Sequence, residues 1–355
     1  MSDGAGAAGN GADDADVLVL GGGPAGCAAA LTAVQRGLRV TLLEAEHLPR
    51  DRPGETLHPG VEPLLRELGV AEAVAAAGFE RHEGHWVAWG DTPRFVAFGA
   101  DDSGPWRGLQ ARRAEFDALL VARASAAGVQ VHTGRRARAV LVDGGRVAGV
   151  GTDDGDVHAR TVVDATGAPG FLPRRLGLGQ VRFSPPLVAR YGYLQGRCAV
   201  RDEAPSLVAD ADGWTWTART GPGLYTWTRV WRPGLRVPHD WLPGEFQGLR
   251  RRVPDRGADV GWRSASRAAG PGWYVVGDAA AVLDPASSHG VLRALMSGML
   301  AAHAISRTAV GAVTEERAAA AYRSWLRDWL GHDVQALGEL YARLPWPPWS
   351  AAGPG

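Results

Sequence analysis

The 355-residue chain is 45% hydrophobic and 21% charged, the balance of a folded globular protein that is long enough for two domains. Its 38 basic and 38 acidic residues cancel, which excludes a nucleic-acid-binding protein held by bulk electrostatic attraction. All of the basic residues are Arg, so chemistry that needs a lysine amine, such as a Schiff base, is also excluded.

The two ends of the chain are predicted to lie outside the folded core. Residues 1–14 are rich in Gly, Ala and Asp, and residues 345–355 in Pro, Trp and Gly, so we expect a disordered tail and a loose tail. The N-terminal residues lack the basic and apolar regions of a signal peptide. The most apolar helical stretch, residues 291–310, contains Arg and His, which predicts no membrane span. With two cysteines in the chain and no disulfide framework expected, the predicted location is cytoplasmic.

The first elements predict a strand–helix–strand unit. An apolar run over 16–20 ends in three glycines, which is typical of a buried parallel strand. An Ala-rich helix over 24–36 is stopped by Gly37. A second strand over 39–43 ends at Glu44. Together these elements form a βαβ unit of about thirty residues.

The middle and the C-terminal parts of the chain alternate between predicted helices and predicted strands. Helices are predicted over 61–68, 71–77 and 112–127, with strand patterns at 86–98, 129–132 and in a three-stranded meander over 139–163. The stretch 181–237 has no helical period, and its Trp-bearing strand pattern predicts a separate sheet. A buried strand at 273–276 precedes two helices, over 289–308 and 315–344.

The glycine-rich turn after the first strand matches a dinucleotide-binding fingerprint. Gly21-Gly22-Gly23-Pro24-Ala25-Gly26 fits G-x-G-x-x-G, and an acid, Glu44, ends the next strand. Gly21 permits the tight turn, Gly23 lets the backbone approach a diphosphate, and Gly26 allows the helix to pack closely on the sheet. The diphosphate would lie on the helix N-terminus, and Glu44 would accept hydrogen bonds from the adenosine ribose.

Three later segments resemble motifs of FAD-dependent monooxygenases and halogenases. Gly277-Asp278, followed by Asp284-Pro285 and a helix, resembles their second FAD motif, in which the Asp binds the ribityl chain. Asp164-Ala165-Thr166-Gly167 and Arg113-x-x-Phe116-Asp117 resemble two further FAD-contacting segments. A plain NAD-linked dehydrogenase would explain the first motif alone. The implied cofactor contacts are Gly21, Gly23, Pro24, Ala25, Gly26, Glu44, Arg52, Arg113, Asp164, Gly277, Asp278, Pro285 and Gly290.

The resemblance implies an α/β fold with a Rossmann-like FAD-binding domain, a β-rich substrate domain and a helical C-terminus. The FAD-binding domain would be assembled from residues 15–80, 108–180 and 265–310. The substrate domain would take residues 81–107 and 181–264, and the C-terminal helices residues 311–344. Reducing equivalents would come from NAD(P)H or from an external flavin reductase, and the sequence leaves both open.

Two segments are more specific. Residues 52–60, with the sequence RPGETLHPG, and residues 277–292, with the sequence GDAAAVLDPASSHGVL, resemble the LodB/GoxB-type flavoproteins. Those proteins are maturation enzymes for amino-acid oxidases that carry a tryptophan-derived quinone. The resemblance implies a monooxygenase that hydroxylates a Trp side chain of a partner protein, the precursor of a quinone-type oxidase.

Halogenation is disfavoured by residue type. The halogenase pattern includes a lysine near the substrate, which this chain lacks, and a W-x-W-x-I-P stretch. Here Trp214 and Trp216 remain, but the Ile-Pro is missing. Alternate residues of a strand share a face, so the two indoles could form a substrate wall or part of the core. The motifs are also compatible with a flavin monooxygenase or reductase acting on a small aromatic molecule, and with a non-catalytic flavoprotein.

Three polar residues are candidate catalytic groups. His289 lies at the start of the helix after the second FAD motif and could orient substrate or transfer a proton. Glu55 and His58 follow the second strand and would border the cofactor, although Glu55 could instead form a salt bridge with Arg50 or Arg52. The histidines are scattered and the two cysteines are distant from each other, so no metal site is predicted.

Overall fold

The computed structural model describes residues 15–50, 52–235 and 238–344. Both predicted tails, 1–14 and 345–355, lie outside these residues. In this part of the chain no helix is long and apolar enough to cross a membrane. The helices are α1 (Pro24–Gln35), α2 (Val61–Glu67), α3 (Ala71–Ala76), α4 (Arg113–Ala126), α5 (Phe171–Arg175), α6 (Ala199–Glu203), α7 (Gly290–Ala309) and α8 (Glu315–Tyr341).

The strands fall where alternation or continuous apolar runs predicted them, with several short additions. In chain order they are β1 (Ala15–Leu20), β2 (Val40–Glu44), β3 (Thr56–Leu57), β4 (Glu80–His82), β5 (Gly84–Trp89), β6 (Arg94–Ala97), β7 (Ala100–Asp101), β8 (Gly104–Pro105), β9 (Gly108–Gln110), β10 (Gln130–Thr133), β11 (Ala137–Asp143), β12 (Arg146–Thr152), β13 (Gly155–Asp164), β14 (Gln180–Arg182), β15 (Val188–Gln195), β16 (Ser206–Asp210), β17 (Gly213–Gly221), β18 (Leu224–Trp231), β19 (Arg250–Arg251), β20 (Arg256–Asp259), β21 (Arg263–Ala265), β22 (Ala269–Gly270), β23 (Trp273–Val275) and β24 (Ala281–Val282).

The first sheet is parallel at its centre and carries the glycine-rich turn. Its strands run in the order β10-β2-β1-β13-β12-β11, with β23 alongside β13. Strands β10, β2, β1, β13 and β23 are parallel, whereas β11, β12 and the first part of β13 form the predicted antiparallel meander. The carboxyl ends of β1, β2 and β13 therefore meet at one edge, where ligands bind in open α/β sheets.

The second large sheet is mostly antiparallel and runs β19-β15-β18-β17-β16-β5-β6, with β20 on the edge of β15. Its register aligns Tyr191, Thr228, Trp216 and Leu207 in one row across four strands. Successive side chains of a strand point to opposite faces, so this row lies on a single face of the sheet. The short helix α6 interrupts the stretch 181–237, for which no helix was predicted, because the chain turns there between two strands.

Close helix packing supports the glycine-rich turn from behind. Helix α1 is buried along its length and packs against α7. A Cβ atom on Gly298 of α7 would lie 2.2 Å from the Ala25 carbonyl oxygen, so the two backbones touch at a place where only glycine fits. Helix α7 follows the Gly277-Asp278 segment after β24 and a short turn, and its contact with α1 brings the first and the last motif together.

Candidate active site

A cavity of about 810 Å³ lies between the carboxyl edge of the first sheet and one face of the second. The glycine-rich turn forms one wall with Gly21, Gly23, Pro24 and Ala25. The segment 282–291 forms a second wall with residues that include Pro285 and Gly290. The aligned row of the second sheet closes the far side with Tyr191, Leu207, Trp216 and Thr228. Segments far apart in the sequence thus enclose a single site.

The glycine-rich turn has the shape of a phosphate cradle. Gly21 has φ +105°, and a Cβ there would lie 2.4 Å from the Ala165 carbonyl oxygen. A Cβ on Gly26 would lie 1.9 Å from the Gly21 carbonyl oxygen. Gly23, the N-cap of α1, instead borders open space, because the atom nearest to its Cβ position lies 3.8 Å away. No side chain caps this end of the helix. The free N–H groups of the first turn therefore face the cavity and favour an anion.

A buried charge network stands beside this turn. The Gly22 N–H donates to Glu44 Oε2 at 2.7 Å, and Arg50 donates to Glu44 at 3.2 Å and to Asp117 at 2.9 Å. Arg113 donates to the same Asp117 at 2.8 Å. Burial alone would raise the pKa of Glu44, but the hydrogen bond from Gly22 and the nearby Arg50 charge outweigh it and hold that pKa below its ordinary value. Two guanidinium groups are thus fixed next to the anion-binding end of α1.

Asp278 faces the cavity with a carboxylate that is available to a ligand. Among the described residues it has no hydrogen bond or ion pair, and it lines the cavity below α7. Enclosure by the chain raises the pKa of Asp278, while the charges of Arg113, Arg293 and Arg263 oppose that rise. Its neighbour Gly277 does not line the cavity. Gly277 has φ +59°, and a Cβ there would lie 2.8 Å from the Ala25 side chain, so its role is close packing against α1.

The structure corrects the expected role of Asp164. This carboxylate is fully buried and does not line the cavity. It accepts hydrogen bonds from Thr166 Oγ1 at 2.7 Å, from the Thr166 N–H at 3.0 Å and from the Leu172 N–H at 2.6 Å. Asp164 therefore ties the end of β13 to the start of α5. The backbone that it shapes, Ala165 to Gly170, lines the cavity in its place.

Glu55 lies on the cavity wall, but its partner is neither Arg50 nor Arg52. The phenol of Tyr193 donates to Glu55 Oε1, and the Gly54 N–H donates to Oε2 at 3.1 Å. Burial raises the pKa of Glu55 in spite of the hydrogen bond from Tyr193. Arg52 pairs with Glu46 at 2.7 Å at the mouth of the cavity. The buried carboxyl of Glu55 is thus a titratable group on the cavity wall with a perturbed pKa, as is common for groups that hold or move a proton.

The other two catalytic candidates belong to an aromatic group behind the cavity wall. His58, His82 and His85 surround Phe98 at ring distances of 5.4 to 5.7 Å, and His289 packs on His58 at 5.2 Å. We call these four histidines the imidazole cluster. None of them lines the cavity, although His85 contacts Trp216 at 5.6 Å and His289 adjoins the wall residue Gly290. Nothing in residues 15–50, 52–235 and 238–344 groups His, Cys, Asp or Glu as metal ligands.

The imidazole cluster makes the fold sensitive to acid. Burial and the neighbouring His85 lower the pKa of His82 to about 4, and its two ring nitrogens have no hydrogen-bond partner among the described residues. The folded state therefore takes up fewer protons than the unfolded state, so stability is present above about pH 6.5 and is lost as the pH falls towards 4.

Replacement of this imidazole should reduce the acid sensitivity. In His82→Leu, the loss of unfolding free energy between pH 8 and pH 5, measured by chemical unfolding, should shrink by about 2 kcal/mol relative to wild type. The exposed His132 provides the control, because His132→Gln should leave the difference unchanged. An unaltered pH dependence in His82→Leu would show that His82 does not carry the effect.

The paired tryptophans both line the cavity, and one of them is also part of the core. Trp214 and Trp216 line the cavity from the same face of β17. Trp214 is also 1% exposed and packs into a cluster with Trp89 and Tyr341, whereas Trp216 is half-buried. The indole of Trp214 donates to the hydroxyl of Tyr341 at 2.7 Å. One tryptophan is therefore core and wall together, and the other is mainly wall.

Comparisons with known proteins bear on the cofactor. A family model described as an FAD binding domain matches residues 14–188. The menaquinone reductase of Mycolicibacterium smegmatis is 31% identical, over 85% of this chain and 78% of that protein. The tryptophan 2-halogenase of Chondromyces crocatus is 30% identical, over 89% of this chain and 65% of that protein. The solved myxobacterial chondrochloren halogenase CndH superposes with a TM-score of 0.84 at 27% identity, covering 94% of this chain and 83% of the other.

The chain belongs to the family of FAD-dependent enzymes that includes the flavin-dependent halogenases. FAD is therefore its cofactor, as the four motifs predicted, and the predicted fold class is confirmed. The interpretation as a plain NAD-linked dehydrogenase is not supported. The chain spans about two thirds of the length of the tryptophan 2-halogenase, so what that protein does as a whole does not transfer directly.

The cavity fits FAD on its own geometry. Gly23 leaves room where a diphosphate would meet the first turn of α1, and the open carboxylate of Asp278 can accept hydrogen bonds from sugar hydroxyls. Arg50, in the loop that follows Glu44, is a further candidate contact, because it lies 3.8 Å from the Cβ position of Gly23 and shares Asp117 with Arg113.

Proposed function

We propose that the protein is an FAD-dependent monooxygenase that adds oxygen to an aromatic ring, and that its substrate is a tryptophan side chain of a partner protein. The observation that carries this proposal is a single cavity in which the FAD cradle opens onto an aromatic wall, in a chain that has no lysine. In the reaction one atom of O₂ enters a ring C–H bond and the other leaves as water. The reductant supplies two electrons, and the two protons that balance the reaction come from the reductant and the solvent.

The cofactor would be held at both ends by groups already in place. The diphosphate would lie on the first turn of α1, flanked by Arg50 and Arg113, while Glu44 would accept hydrogen bonds from the adenosine ribose. Asp278 would accept hydrogen bonds from the ribityl hydroxyls. When bound, FAD supplies the redox chemistry and the activation of O₂. The protein supplies position and a pocket that excludes water.

The substrate side of the cavity is built for a flat apolar ring. Tyr191, Trp214 and Trp216 present aromatic surface from one face of the second sheet, and Leu207 lies between them and the edge of the sheet. An indole that stacks on such a wall gains about 0.5–1.5 kcal/mol for each aromatic pair beyond the burial of its area. Glu55, held by Tyr193, is the group that would hold or move a proton beside this wall.

Halogenation is the second candidate, because the tryptophan 2-halogenase and the halogenase CndH are similar to this chain. The residue pattern argues against it. No lysine is present to match the lysine of the halogenase pattern, and Ala218-Arg219 stands where that pattern has Ile-Pro. Similarity to the menaquinone reductase supports a third candidate function, in which the substrate is a small quinone or aromatic compound instead of a protein.

The source of electrons is proposed to be NAD(P)H or a reduced flavin delivered by a separate reductase. Both donors can be distinguished with the purified holoenzyme under argon. Bleaching of the flavin by NADPH or NADH alone supports direct reduction. Bleaching that needs added reductase and free flavin supports an external donor.

The proposed reaction is tested by co-expression of this protein with the precursor of a quinone-type oxidase that is encoded by a neighbouring gene. Mass spectrometry of that partner should find one added oxygen atom on a peptide that contains Trp, because the aromatic wall would hold an indole next to the flavin. The same co-expression with Gly23→Asp, which we expect to lack FAD, is the matched control and should leave the partner unmodified.

Two outcomes would contradict the proposal. Chlorinated or brominated product from free tryptophan in the presence of halide would establish a halogenase. Turnover of a small aromatic compound, with no change in any protein, would assign the enzyme to the small-molecule class.

A further inference from the structure

A buried carboxyl stands where the flavin-facing segment, the second sheet and the last helix meet. Asp284 is 0% exposed, lies in the cavity wall directly after β24, and caps the turn that follows. Its Oδ1 atom accepts from the Ala286 N–H at 2.7 Å. The other oxygen, Oδ2, accepts from the hydroxyl of Tyr341, which lies at the end of α8. One side chain thus joins two distant segments.

The same group reaches the aromatic wall. The Tyr341 hydroxyl that donates to Asp284 accepts the indole N–H of Trp214 at 2.7 Å. Asp284, the Tyr341 hydroxyl and the indole N–H of Trp214 therefore form one chain of hydrogen bonds. Since Trp214 lines the cavity, the Tyr341 hydroxyl is the acceptor that orients its ring.

An acid in this place is costly, which indicates a role beyond packing. Among the described residues Asp284 has no ion pair, and Arg293, a cationic side chain whose charge acts on it, pairs with Asp333 instead. An apolar side chain would avoid the cost of burying a carboxyl. It would also leave the phenol of Tyr341 and the Ala286 N–H without their acceptor in the interior, at about 1–3 kcal/mol each.

We propose that Asp284 is a positioning residue of the aromatic wall, which acts through Tyr341 to fix the indole ring of Trp214 against the cavity. It also ties α8 to the segment that follows the second FAD motif. The inference rests on the proposed function in one respect, since the wall is taken as the surface that receives the aromatic substrate. The hydrogen-bonded chain from Asp284 to Trp214 stands independently of the substrate.

Ionisation of the Asp284 carboxyl should then change the environment of the Trp214 indole. Burial raises the pKa of Asp284 to about 6, although hydrogen bonds from the Tyr341 hydroxyl and the Ala286 N–H hold it lower than burial alone would. The titratable and charged groups that act on it are Tyr341 from α8 and Arg293 from α7, and β17 contributes the neutral indole of Trp214. Below pH 6 the carboxyl gains a proton and accepts fewer hydrogen bonds, so the Trp214 ring loses part of its restraint.

The test uses ¹⁹F NMR of the FAD-loaded enzyme labelled with 5-fluorotryptophan. The resonance of Trp214 is assigned by its disappearance in Trp214→Phe. In the wild type this resonance should titrate with a midpoint near pH 6. In Asp284→Asn the titration should be lost, and in Tyr341→Phe it should be lost as well, because the hydroxyl that links the carboxyl to the indole is gone. Tyr341→Phe keeps the ring and is informative even if Asp284→Asn fails to fold.

Trp89→Phe is the matched control. Trp89 packs on Tyr341 at 5.8 Å and donates to the Leu340 carbonyl at 2.7 Å, so the variant removes an indole donor from the same end of α8 without touching Asp284. The Trp214 titration should survive in it. A Trp214 resonance that does not titrate in the wild type, or that titrates unchanged in Asp284→Asn, would overturn the positioning role. Neither result depends on a substrate, so failure of the proposed reaction is a separate outcome.

Discussion

Gly23→Asp is expected to abolish FAD binding while leaving the fold intact. Gly23 is the N-cap of α1 in an extended conformation, with φ −82° and ψ −176°, and its Cβ direction leads into open cavity space. An Asp at an N-cap stabilises a helix, because its carboxylate accepts the free N–H groups of the first turn. Those N–H groups are the ones proposed to bind the diphosphate, and the added charge would repel it.

The measurement is the flavin absorbance of the purified variant, near roughly 450 nm where the cofactor itself absorbs. Gly23→Asn is the matched control, since it caps the helix with a neutral side chain of similar size and should retain more FAD than the Asp variant. A purified Gly23→Asp protein with stoichiometric flavin would show that the glycine-rich turn does not bind the diphosphate.

The part of the site that could be predicted from the sequence is the part built from local spacing. The turn from Gly21 to Gly26 and the acid Glu44 sit in one βαβ unit, whose geometry is short-range, and the structure has them at one end of the cavity. Gly26 has the close helix–sheet contact that its motif position predicts. The positions of α1 to α4, α7 and α8 followed in the same way from capping signals and apolar period, whereas the five-residue helices α5 and α6 did not.

The rest depends on the pairing of distant segments. Glu55 meets Tyr193 across 138 positions, and no local pattern states which strand of the second sheet will face it. The imidazole cluster collects His58 and His289 with residues of β4 and β5, which are joined only once the sheets are placed. Asp164 shows a different limit of sequence-based prediction. Its motif was recognised from the sequence, but its carboxylate binds Thr166 and Leu172 and holds the loop that follows β13.

Asp278→Ala should weaken FAD binding by one to two orders of magnitude. The carboxylate faces the cavity with no hydrogen-bond partner among the described residues, which leaves it free to accept from a ribityl hydroxyl. Loss of a hydrogen bond to a charged group in such a place costs about 1.5–3 kcal/mol, the equivalent of about a tenfold to a hundredfold change in Kd. The measurement is titration of the FAD-free protein with FAD, followed by quenching of flavin fluorescence.

Two further variants separate this contact from general effects of charge. Asp278→Asn keeps an oxygen that can accept a hydrogen bond, so its Kd should lie between the wild-type and the Ala values. Asp212→Ala removes an exposed acid that lies outside the cavity beside the exposed Arg232, and its Kd should match the wild type. The cations Arg113, Arg293 and Arg263 keep the field around Asp278 positive after the substitution, so a loss of affinity in Asp278→Ala reports the missing acceptor and not a reversed local charge. An unchanged Kd would place the ribityl chain away from Asp278 and would require FAD to lie differently along α7.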